Sequence, residues 1–335
     1  MTTRVAVIGA GSWGTTVASL ICNRTDTVLW ARNEDVAKEI NEQHRNSSYL
    51  GEWALPVRLA ATASLEEALS DATLVVMGVP SHGFRTVLGD AARYIGRDVP
   101  IVSLSKGFEQ GSLLRMSEVS QQVCPDNPAG VLTGPNLARE ILAGQPAASV
   151  IAFADEQISR DLQRLFSTDT LRIYTNPDVT GCETAGAVKN VMAIACGMAA
   201  GLGFGDNTLA TVITRSLAEL ARLGVALGGD PLTFSGLAGL GDLVATCTSP
   251  QSRNRTVGFE LGKGKTLEEI QATMRMVAEG VKTSRPVVEL AHRLGVEVPI
   301  AEQVVAVLYE GKPPAATITS LMRRAVKPEL HGIRI

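Results

Sequence analysis

The sequence lacks any marked excess of charge. Its 335 residues include 31 Lys and Arg against 34 Asp and Glu, which gives a formal net charge of -3, and no block of basic residues occurs. Proteins that bind nucleic acid through a basic surface need such an excess. The composition therefore argues against that class, and local groups must hold any anionic ligand.

Cysteine pairs and long apolar runs are also missing. The 5 cysteines are scattered and none forms a CxxC pair, so we interpret them as buried side chains in a reducing compartment and expect no metal site. The longest apolar stretch, Val191–Phe204, is interrupted by glycines and is too short to cross a bilayer of about 30 Å. With no secretory signal before the first predicted strand, we expect a cytoplasmic protein.

A glycine-rich turn follows the first predicted strand. The apolar run Val5–Ile8 leads into GAGSWG at Gly9–Gly14, and a helical segment continues to Cys22. In the dinucleotide fingerprint, the first glycine permits a tight turn, the second lets backbone approach a pyrophosphate and the third lets helix pack on strand. The helix N-terminus then presents its amides to phosphate groups. This strand, turn and helix predict a dinucleotide site.

Arg32 stands at the end of the second predicted strand, Thr27–Ala31. An acidic residue at this place accepts a hydrogen bond from the ribose 2′-OH of NAD, whereas an arginine suits the 2′-phosphate of NADP. The sequence therefore favours NADP(H) and leaves NAD(H) open. The alternative is that Arg32 is an ordinary surface residue.

Strands and helices alternate through the first half of the chain, and the strand pattern ends near Thr175. A chain of 335 residues exceeds most single cores, so two domains are expected. We predict an α/β protein with an N-terminal Rossmann-type doubly wound sheet and an all-α C-terminal domain, divided as residues 1–183 and 184–335. Further strands are predicted at 74–79, 101–104, 131–133, 149–154 and 171–174, and helices at 33–42, 155–166, 208–227, 284–294 and 301–309. A helix start is also predicted at 176–178, and the long segment 179–200 is predicted to link the two halves.

Polar groups occur within apolar or glycine-rich motifs along the whole chain. These motifs are SLSKGFE at 103–109, GPNLARE at 134–140, ETAGAVKNVMAIACG at 183–197, GLAGLGDLVATC at 236–247, SRNR at 252–255 and VAEGVKT at 277–283. Together with GAGSWG at 9–14, and in this order, they resemble the bacterial-type NAD(P)-dependent glycerol-3-phosphate dehydrogenase family. The resemblance covers nearly the whole chain.

This resemblance implies reversible hydride transfer between C2 of sn-glycerol 3-phosphate and NAD(P)+, giving dihydroxyacetone phosphate, in the supply of glycerol 3-phosphate for phospholipid synthesis. Alcohol oxidation needs a base, and none of the 4 histidines lies in the motifs, so a lysine is the available candidate. By resemblance, Lys189 is the proton acceptor, and its apolar surroundings would favour the neutral amine. Asp242 would orient Lys189 or a substrate hydroxyl, and Lys106 would polarise the C2 oxygen. The structural alternatives are exposed lysines and a helix-capping aspartate.

The resemblance also implies binding residues. For the cofactor these are Gly9, Gly11, Ser12, Trp13, Gly14, Arg32, Lys106, Ala138, Arg253, Val277 and Glu279. For the substrate they are Lys106, Gly134, Asn136, Lys189, Asn190, Asp242, Thr246, Ser252, Arg253 and Asn254. The last three would offer a hydroxyl, a guanidinium fork and an amide to the substrate phosphate. Asn136 replaces the serine that the family usually has, and it can donate and accept as serine does.

Two other hypotheses about the function remain open from the sequence. A hydroxyacid dehydrogenase of related architecture also uses a lysine followed by an asparagine, but the Ser252–Asn254 cluster suits a phosphate better than a carboxylate. A redox sensor would bind NAD(P) without turnover, and it gives no reason for Lys106, Lys189 and Asp242 to occur together. The apolar C-terminal helices are compatible with a homodimer.

Overall fold

We describe the protein from a computed structural model, which covers residues 3–274 and 278–329. The chain forms two compact units. The N-terminal unit runs to Ser105 and resumes over Met116–Val179, whereas the C-terminal unit consists of Lys106–Arg115 and the chain from Thr180 onward. The sequence does not indicate that Lys106–Arg115 belongs to the second unit. The predicted division at residues 183 and 184 stays a prediction.

The N-terminal unit contains one sheet of eight strands in the order β3-β2-β1-β4-β5-β6-β7-β8. The strands are β1 Arg4–Ile8, β2 Asp26–Trp30, β3 Ala60–Thr62, β4 Leu74–Met77, β5 Ile101–Ser103, β6 Ala129–Thr133, β7 Ala147–Ala152 and β8 Leu171–Asn176. All neighbouring pairs are parallel except β6 and β7. With the helical C-terminal unit, this confirms the predicted fold class.

The antiparallel pairing of β6 and β7 was not predicted, and the connection between the two strands explains it. Parallel strands need a crossover that returns the chain to the opposite end of the sheet. The single helix in this connection is α7, Ala138–Leu142, which at 1.5 Å per residue spans only about 8 Å. Such a helix is too short to carry the chain back along the strand.

Helices of the N-terminal unit lie between the strands. They are α1 Ser12–Ile21, α2 Glu34–Gln43, α3 Ser47–Leu50, α4 Leu65–Leu69, α5 Phe84–Ala92, α6 Met116–Val123, α7 Ala138–Leu142 and α8 Glu156–Phe166. The short elements β3, α3 and α4 were not predicted, and α3 falls within a segment that the sequence indicated to be irregular. Asn33 and Asp155 cap α2 and α8 by accepting hydrogen bonds from first-turn amides, as residues of this type do.

Helices form the C-terminal unit, as predicted. They are α9 Val179–Gly201, α10 Asp206–Ala226, α11 Asp242–Thr248, α12 Arg253–Gly262, α13 Leu267–Thr273, α14 Glu279–Arg293, α15 Pro299–Tyr309 and α16 Pro314–Met322. Helix α9 is buried on all sides from Gly181 to Ile194, so it passes through the core of the unit. Within residues 3–274 and 278–329, no helix combines the length and the apolar character needed to cross a membrane.

Four glycines bring α9 and α12 into backbone contact. A Cβ on Gly197 or Gly201 would lie 2.1 or 2.2 Å from a carbonyl oxygen of α12, those of Arg255 and Phe259. A Cβ on Gly258 or Gly262 would lie 2.0 or 2.6 Å from the Ile194 and Met198 carbonyl oxygens of α9. Each helix carries its two glycines four residues apart, so they share one face. Any larger side chain would force the helices apart.

Candidate active site

The C-terminal unit buries a carboxylate between two lysines. Asp242 is 1 % exposed, and its Oδ2 accepts a hydrogen bond from Lys106 Nζ at 2.6 Å while its Oδ1 accepts from Lys189 Nζ at 2.8 Å. Lys189 Nζ also donates to Thr246 Oγ1 at 2.6 Å. The structure therefore brings together all three predicted catalytic side chains and one predicted substrate ligand.

Three separate chain segments supply these groups. Lys189 lies midway along the buried helix α9, and Asp242 is the first residue of α11, which also carries Thr246 one turn later. The side chain of Asp242 is directed to the lysines and does not cap its own helix, whose N-cap residue is Gly241. Lys106 arrives on Lys106–Arg115, the segment that leaves the N-terminal part of the chain. Both lysines are thus held by the carboxylate and are not exposed surface residues.

Burial and charge act in opposite directions on this cluster. Burial lowers the pKa of Lys106 to about 8, since desolvation and the neighbouring Lys189 outweigh the attraction of Asp242. Burial alone would raise the pKa of Asp242, but the two ammonium groups hold it below the usual range of a carboxylic acid. A single carboxylate therefore faces two lysines, and burial makes Lys106 lose its proton at a lower pH than a lysine in water.

A chain of amide hydrogen bonds surrounds the cluster. Asn190 Nδ2 donates to the carbonyl oxygens of Lys106 and Gly186, at 3.0 and 3.4 Å, while Asn190 Oδ1 accepts from Asn254 Nδ2 at 2.8 Å. Asn254 Oδ1 in turn accepts from the amide of Gly280 at 2.9 Å. These bonds occupy the amide of Asn190 and tie α9, α12 and α14 to the segment that carries Lys106. The substrate contacts of Asn190 and Asn254 stay predictions.

The N-terminus of α12 begins at the predicted phosphate-binding motif. Ser252 is its N-cap residue, with Oγ accepting from the amide of Arg255 at 3.2 Å, and Arg253 is the first helical residue. Arg253 is exposed, and the carboxylate of Glu279 at the start of α14 attracts its guanidinium. A helix N-terminus attracts anions through its amides and dipole. This end of α12 can hold a phosphate.

The glycine-rich turn of the N-terminal unit is packed as the fingerprint requires. Gly9 has φ +120, a value that strongly favours glycine, and a Cβ there would lie 2.7 Å from the carbonyl oxygen of Gly78. A Cβ on Gly14 would lie 2.0 Å from the carbonyl oxygen of Gly9, so α1 packs directly on the turn. Gly11 differs, because a Cβ there would lie 4.0 Å from the carbonyl oxygen of Gly78, which is an ordinary van der Waals contact. The absence of a side chain leaves open space at the start of α1, where no side chain caps the helix and where the fingerprint predicts the pyrophosphate.

The other predicted cofactor residues of the N-terminal unit lie at strand and helix ends. Ser12 begins α1 and donates to the carbonyl oxygen of Tyr49 at 3.0 Å, Arg32 is exposed just after β2, and Ala138 begins α7. Trp13 packs partly against the core, while its Nε1 has no hydrogen-bond partner among the described residues. Their cofactor contacts stay predictions, and Val277 lies outside the described residues.

Gly134 and Asn136 also belong to the N-terminal unit. Gly134 follows β6 with φ +129, and Asn136 Oδ1 accepts a hydrogen bond from Ser149 Oγ. Asn136 Nδ2 is buried without a partner in the described part of the chain, so the amide retains a donor of the kind that a substrate hydroxyl or phosphate would need. The substrate contacts of both residues stay predictions.

Asn46 contacts the glycine-rich turn, although the sequence did not indicate this contact. It is fully buried just before the short helix α3, and its Nδ2 donates to the carbonyl oxygen of Ala10 and to Thr15 Oγ1, both at 2.9 Å. The side chain therefore holds the turn to the first part of α1. In the sequence Asn46 stands in a polar, serine-rich segment, where an asparagine is ordinarily a loop residue.

A buried ion pair in the C-terminal unit was also missed. Arg115 donates from one terminal guanidinium nitrogen to Glu183 Oε2 at 3.1 Å, and the two side chains are 15 % and 5 % exposed. Glu183 is the first residue of the motif at 183–197, and Arg115 lies outside all of the motifs, so the sequence assigned no role to either residue. Nothing local in the sequence pairs them.

Across residues 3–274 and 278–329, no group of three or more His, Cys, Asp or Glu side chains could hold a metal ion.

Known proteins match this chain over nearly its whole length. The protein-family model of the NAD-dependent glycerol-3-phosphate dehydrogenase N-terminus matches residues 4–159, and the family model of the C-terminus of the same enzymes matches residues 178–319. The chain is 50% identical over 331 residues to glycerol-3-phosphate dehydrogenase [NAD(P)+] 2 of Sphingopyxis alaskensis, covering 99% of both chains. The corresponding protein of Mycobacterium avium is 51% identical over 330 residues, covering 98% of this chain and 97% of its own.

A solved structure is similar over the same length. The crystal structure of glycerol-3-phosphate dehydrogenase from Coxiella burnetii superposes with a TM-score of 0.92 at 36% identity, covering 96% of this chain and 99% of its own. The resemblance seen in the sequence motifs is therefore confirmed, and it extends over both units.

Proposed function

The chain belongs to the NAD-dependent glycerol-3-phosphate dehydrogenase family and is an NAD(P)-dependent enzyme of that activity, and we propose how its residues perform the reaction. The observation that carries the proposal is the buried cluster in which Asp242 binds both Lys106 and Lys189. The nicotinamide, when bound, accepts or donates the hydride at C2. The side chains must then move one proton and stabilise charge on the C2 oxygen.

Lys189 is the proposed proton acceptor in alcohol oxidation and the proton donor in ketone reduction. An ammonium has three donor positions, and Lys189 uses two of them on Asp242 Oδ1 and Thr246 Oγ1. The third is left for the C2 oxygen of the substrate. The carboxylate of Asp242 keeps the amine oriented and stabilises the ammonium that forms when Lys189 takes the proton.

Lys106 is the proposed electrostatic partner. With both lysines protonated, the cluster carries one positive charge more than Asp242 can neutralise. That excess lies in a buried environment, where it stabilises a developing alkoxide more strongly than it would in water. We assign the substrate phosphate to the N-terminus of α12 with Ser252, Arg253 and Asn254, and the cofactor pyrophosphate to the turn at Gly9–Gly14.

The decisive experiment measures NADPH and NADH oxidation by the purified protein with dihydroxyacetone phosphate, in wild type and in Lys189→Ala. Loss of a positioned acid and base lowers kcat by about 10²–10⁴-fold. We expect such a loss with little change in cofactor affinity. A matched control is Lys263→Ala, since Lys263 lies at the end of α12 with its ammonium over the ring of Phe259. Near-normal turnover in Lys189→Ala would rule out the assignment.

Four finer proposals concern the cofactor preference, the oligomeric state, the metabolic role and the location of the enzyme. Exposed Arg32 at the end of β2 supports a preference for NADPH over NADH, which the same assay measures as a ratio of kcat/KM. Exposed Leu232, Leu240 and Val244 support a homodimer, to be tested by light scattering. The product supports a role in supplying phospholipid synthesis in the cytoplasm, to be tested by the lipid content of a deletion strain and by cell fractionation.

A further inference from the structure

The segment Lys106–Arg115 is fastened to helix α9 at both of its ends. The carbonyl oxygen of its first residue, Lys106, accepts a hydrogen bond from Asn190 Nδ2 at 3.0 Å. Its last residue, Arg115, forms the buried ion pair with Glu183 at 3.1 Å. Glu183 and Asn190 are seven positions apart in the sequence, which is about two helical turns, so both anchors lie on one face of α9.

The segment between these anchors is internally bonded. The amide of Glu109 donates to the carbonyl oxygen of Leu114 at 2.9 Å, and the amide of Leu113 donates back to the Glu109 carbonyl oxygen at 3.0 Å. Phe108 is 2 % exposed within the hydrophobic core of the C-terminal unit. These bonds close a compact turn over residues 109–114, and the buried Phe108 lies between this turn and Lys106.

We propose that Arg115 and Glu183 are positioning residues for the reaction, because their buried ion pair holds the segment that delivers Lys106 to Asp242. This inference rests on the electrostatic role proposed for Lys106. A buried ion pair is often no more stabilising than a well-packed apolar pair, and the role we assign to this one is to fix the position of the segment. The position to be fixed is the 2.6 Å contact between Lys106 Nζ and Asp242 Oδ2.

A double-mutant cycle separates positioning from general stability. We would measure kcat for reduction of dihydroxyacetone phosphate in wild type, Arg115→Met, Lys106→Met and the double variant. A displacement of about 1 Å at a catalytic group costs about 10²-fold in rate. If Arg115 acts through Lys106, Arg115→Met lowers kcat tenfold to a hundredfold in wild type and less than twofold in Lys106→Met. The exposed ion pair of Lys265 with Glu260 supplies the control, since Lys265→Met leaves kcat unchanged in both backgrounds.

The outcomes distinguish this inference from the proposed function. Equal losses from Arg115→Met in both backgrounds, or no loss in wild type, would overturn the positioning role. Unchanged kcat in Lys106→Met would instead overturn the proposed role of Lys106. If Arg115→Met does not fold, Arg115→Lys keeps the charge but not the guanidinium fork, and Glu183→Gln keeps the shape but not the charge. The same cycle is then read from these two variants.

Discussion

Replacing Lys106 by arginine should remove a pH dependence from the reaction. Burial lowers the pKa of Lys106 to about 8. Since the proposed role of Lys106 needs the ammonium form, activity should fall as the pH rises through this value. With a pKa of about 8, about nine-tenths of Lys106 is charged at pH 7 and about one-tenth at pH 9, so kcat/KM should fall about tenfold between them.

The assay follows NADPH oxidation at saturating cofactor, with kcat/KM for dihydroxyacetone phosphate measured from pH 6.5 to 9.5. This parameter reports ionisations of the enzyme before the substrate binds. The phosphate of the substrate titrates near pH 6, which is below the range of interest. A guanidinium stays charged throughout, so Lys106→Arg should react more slowly because its fork fits Asp242 differently, yet its profile should be flat to pH 9.

The result that refutes this reasoning is equally definite. If the fall in kcat/KM near pH 8 persists unchanged in Lys106→Arg, another group causes it. If wild type shows no fall up to pH 9.5, the ammonium of Lys106 is either not needed or not titrating. Lys265→Arg is the control, because Lys265 is exposed and pairs with Glu260 on the surface. Its profile should match that of wild type.

Three substitutions test other parts of the structure. Arg32→Asp should raise the KM for NADPH more than that for NADH, and equal increases would show that Arg32 does not contact the ribose. Asn46→Ala should weaken cofactor binding, measured by titration of NADPH fluorescence, whereas Asn41→Ala, which removes two bonds to the backbone of β3, should not. Gly258→Ala should lower the free energy of unfolding by about 3 kcal/mol in urea, because its Cβ would lie 2.0 Å from the carbonyl oxygen of Ile194. The control Gly89→Ala, at an exposed position with no atom within 4 Å, should leave the free energy of unfolding unchanged or raise it by up to about 1 kcal/mol.

Local sequence patterns were sufficient to predict some of the elements that build the two candidate sites, although the short helices α11 and α12 were not predicted. The strand, turn and helix at Arg4–Ile21 follow from a continuous apolar run and three glycines, because that geometry is encoded within one short stretch. The helix start that the sequence indicated at residues 176–178 likewise lies next to the observed start of α9 at Val179. Short elements such as β3 and α3 gave no signal, since three or four residues cannot show a period.

Long-range pairing was beyond such reasoning. The sequence and family resemblance proposed Lys106, Lys189 and Asp242 together, but periodicity could not show that one carboxylate would bind both lysines. Nor could it show that Lys106–Arg115 joins the helical unit, because this depends on Asn190 and Glu183 far along the chain. Asn46 was missed for the same reason, since its partners at the glycine-rich turn lie more than thirty positions away.

The glycine contact between α9 and α12 has an entropic consequence. Fixing a buried leucine, methionine or lysine costs about 0.5–2 kcal/mol of rotamer entropy at room temperature, whereas a glycine has no rotamers to lose. The spacing between α9 and α12 at these four glycines is set by backbone against backbone. Because that contact carries no side-chain entropy penalty, warming gives side chains no freedom to regain there. The spacing between these two helices, which carry the proposed proton-transfer group and the proposed phosphate site, should persist until the helical unit itself unfolds.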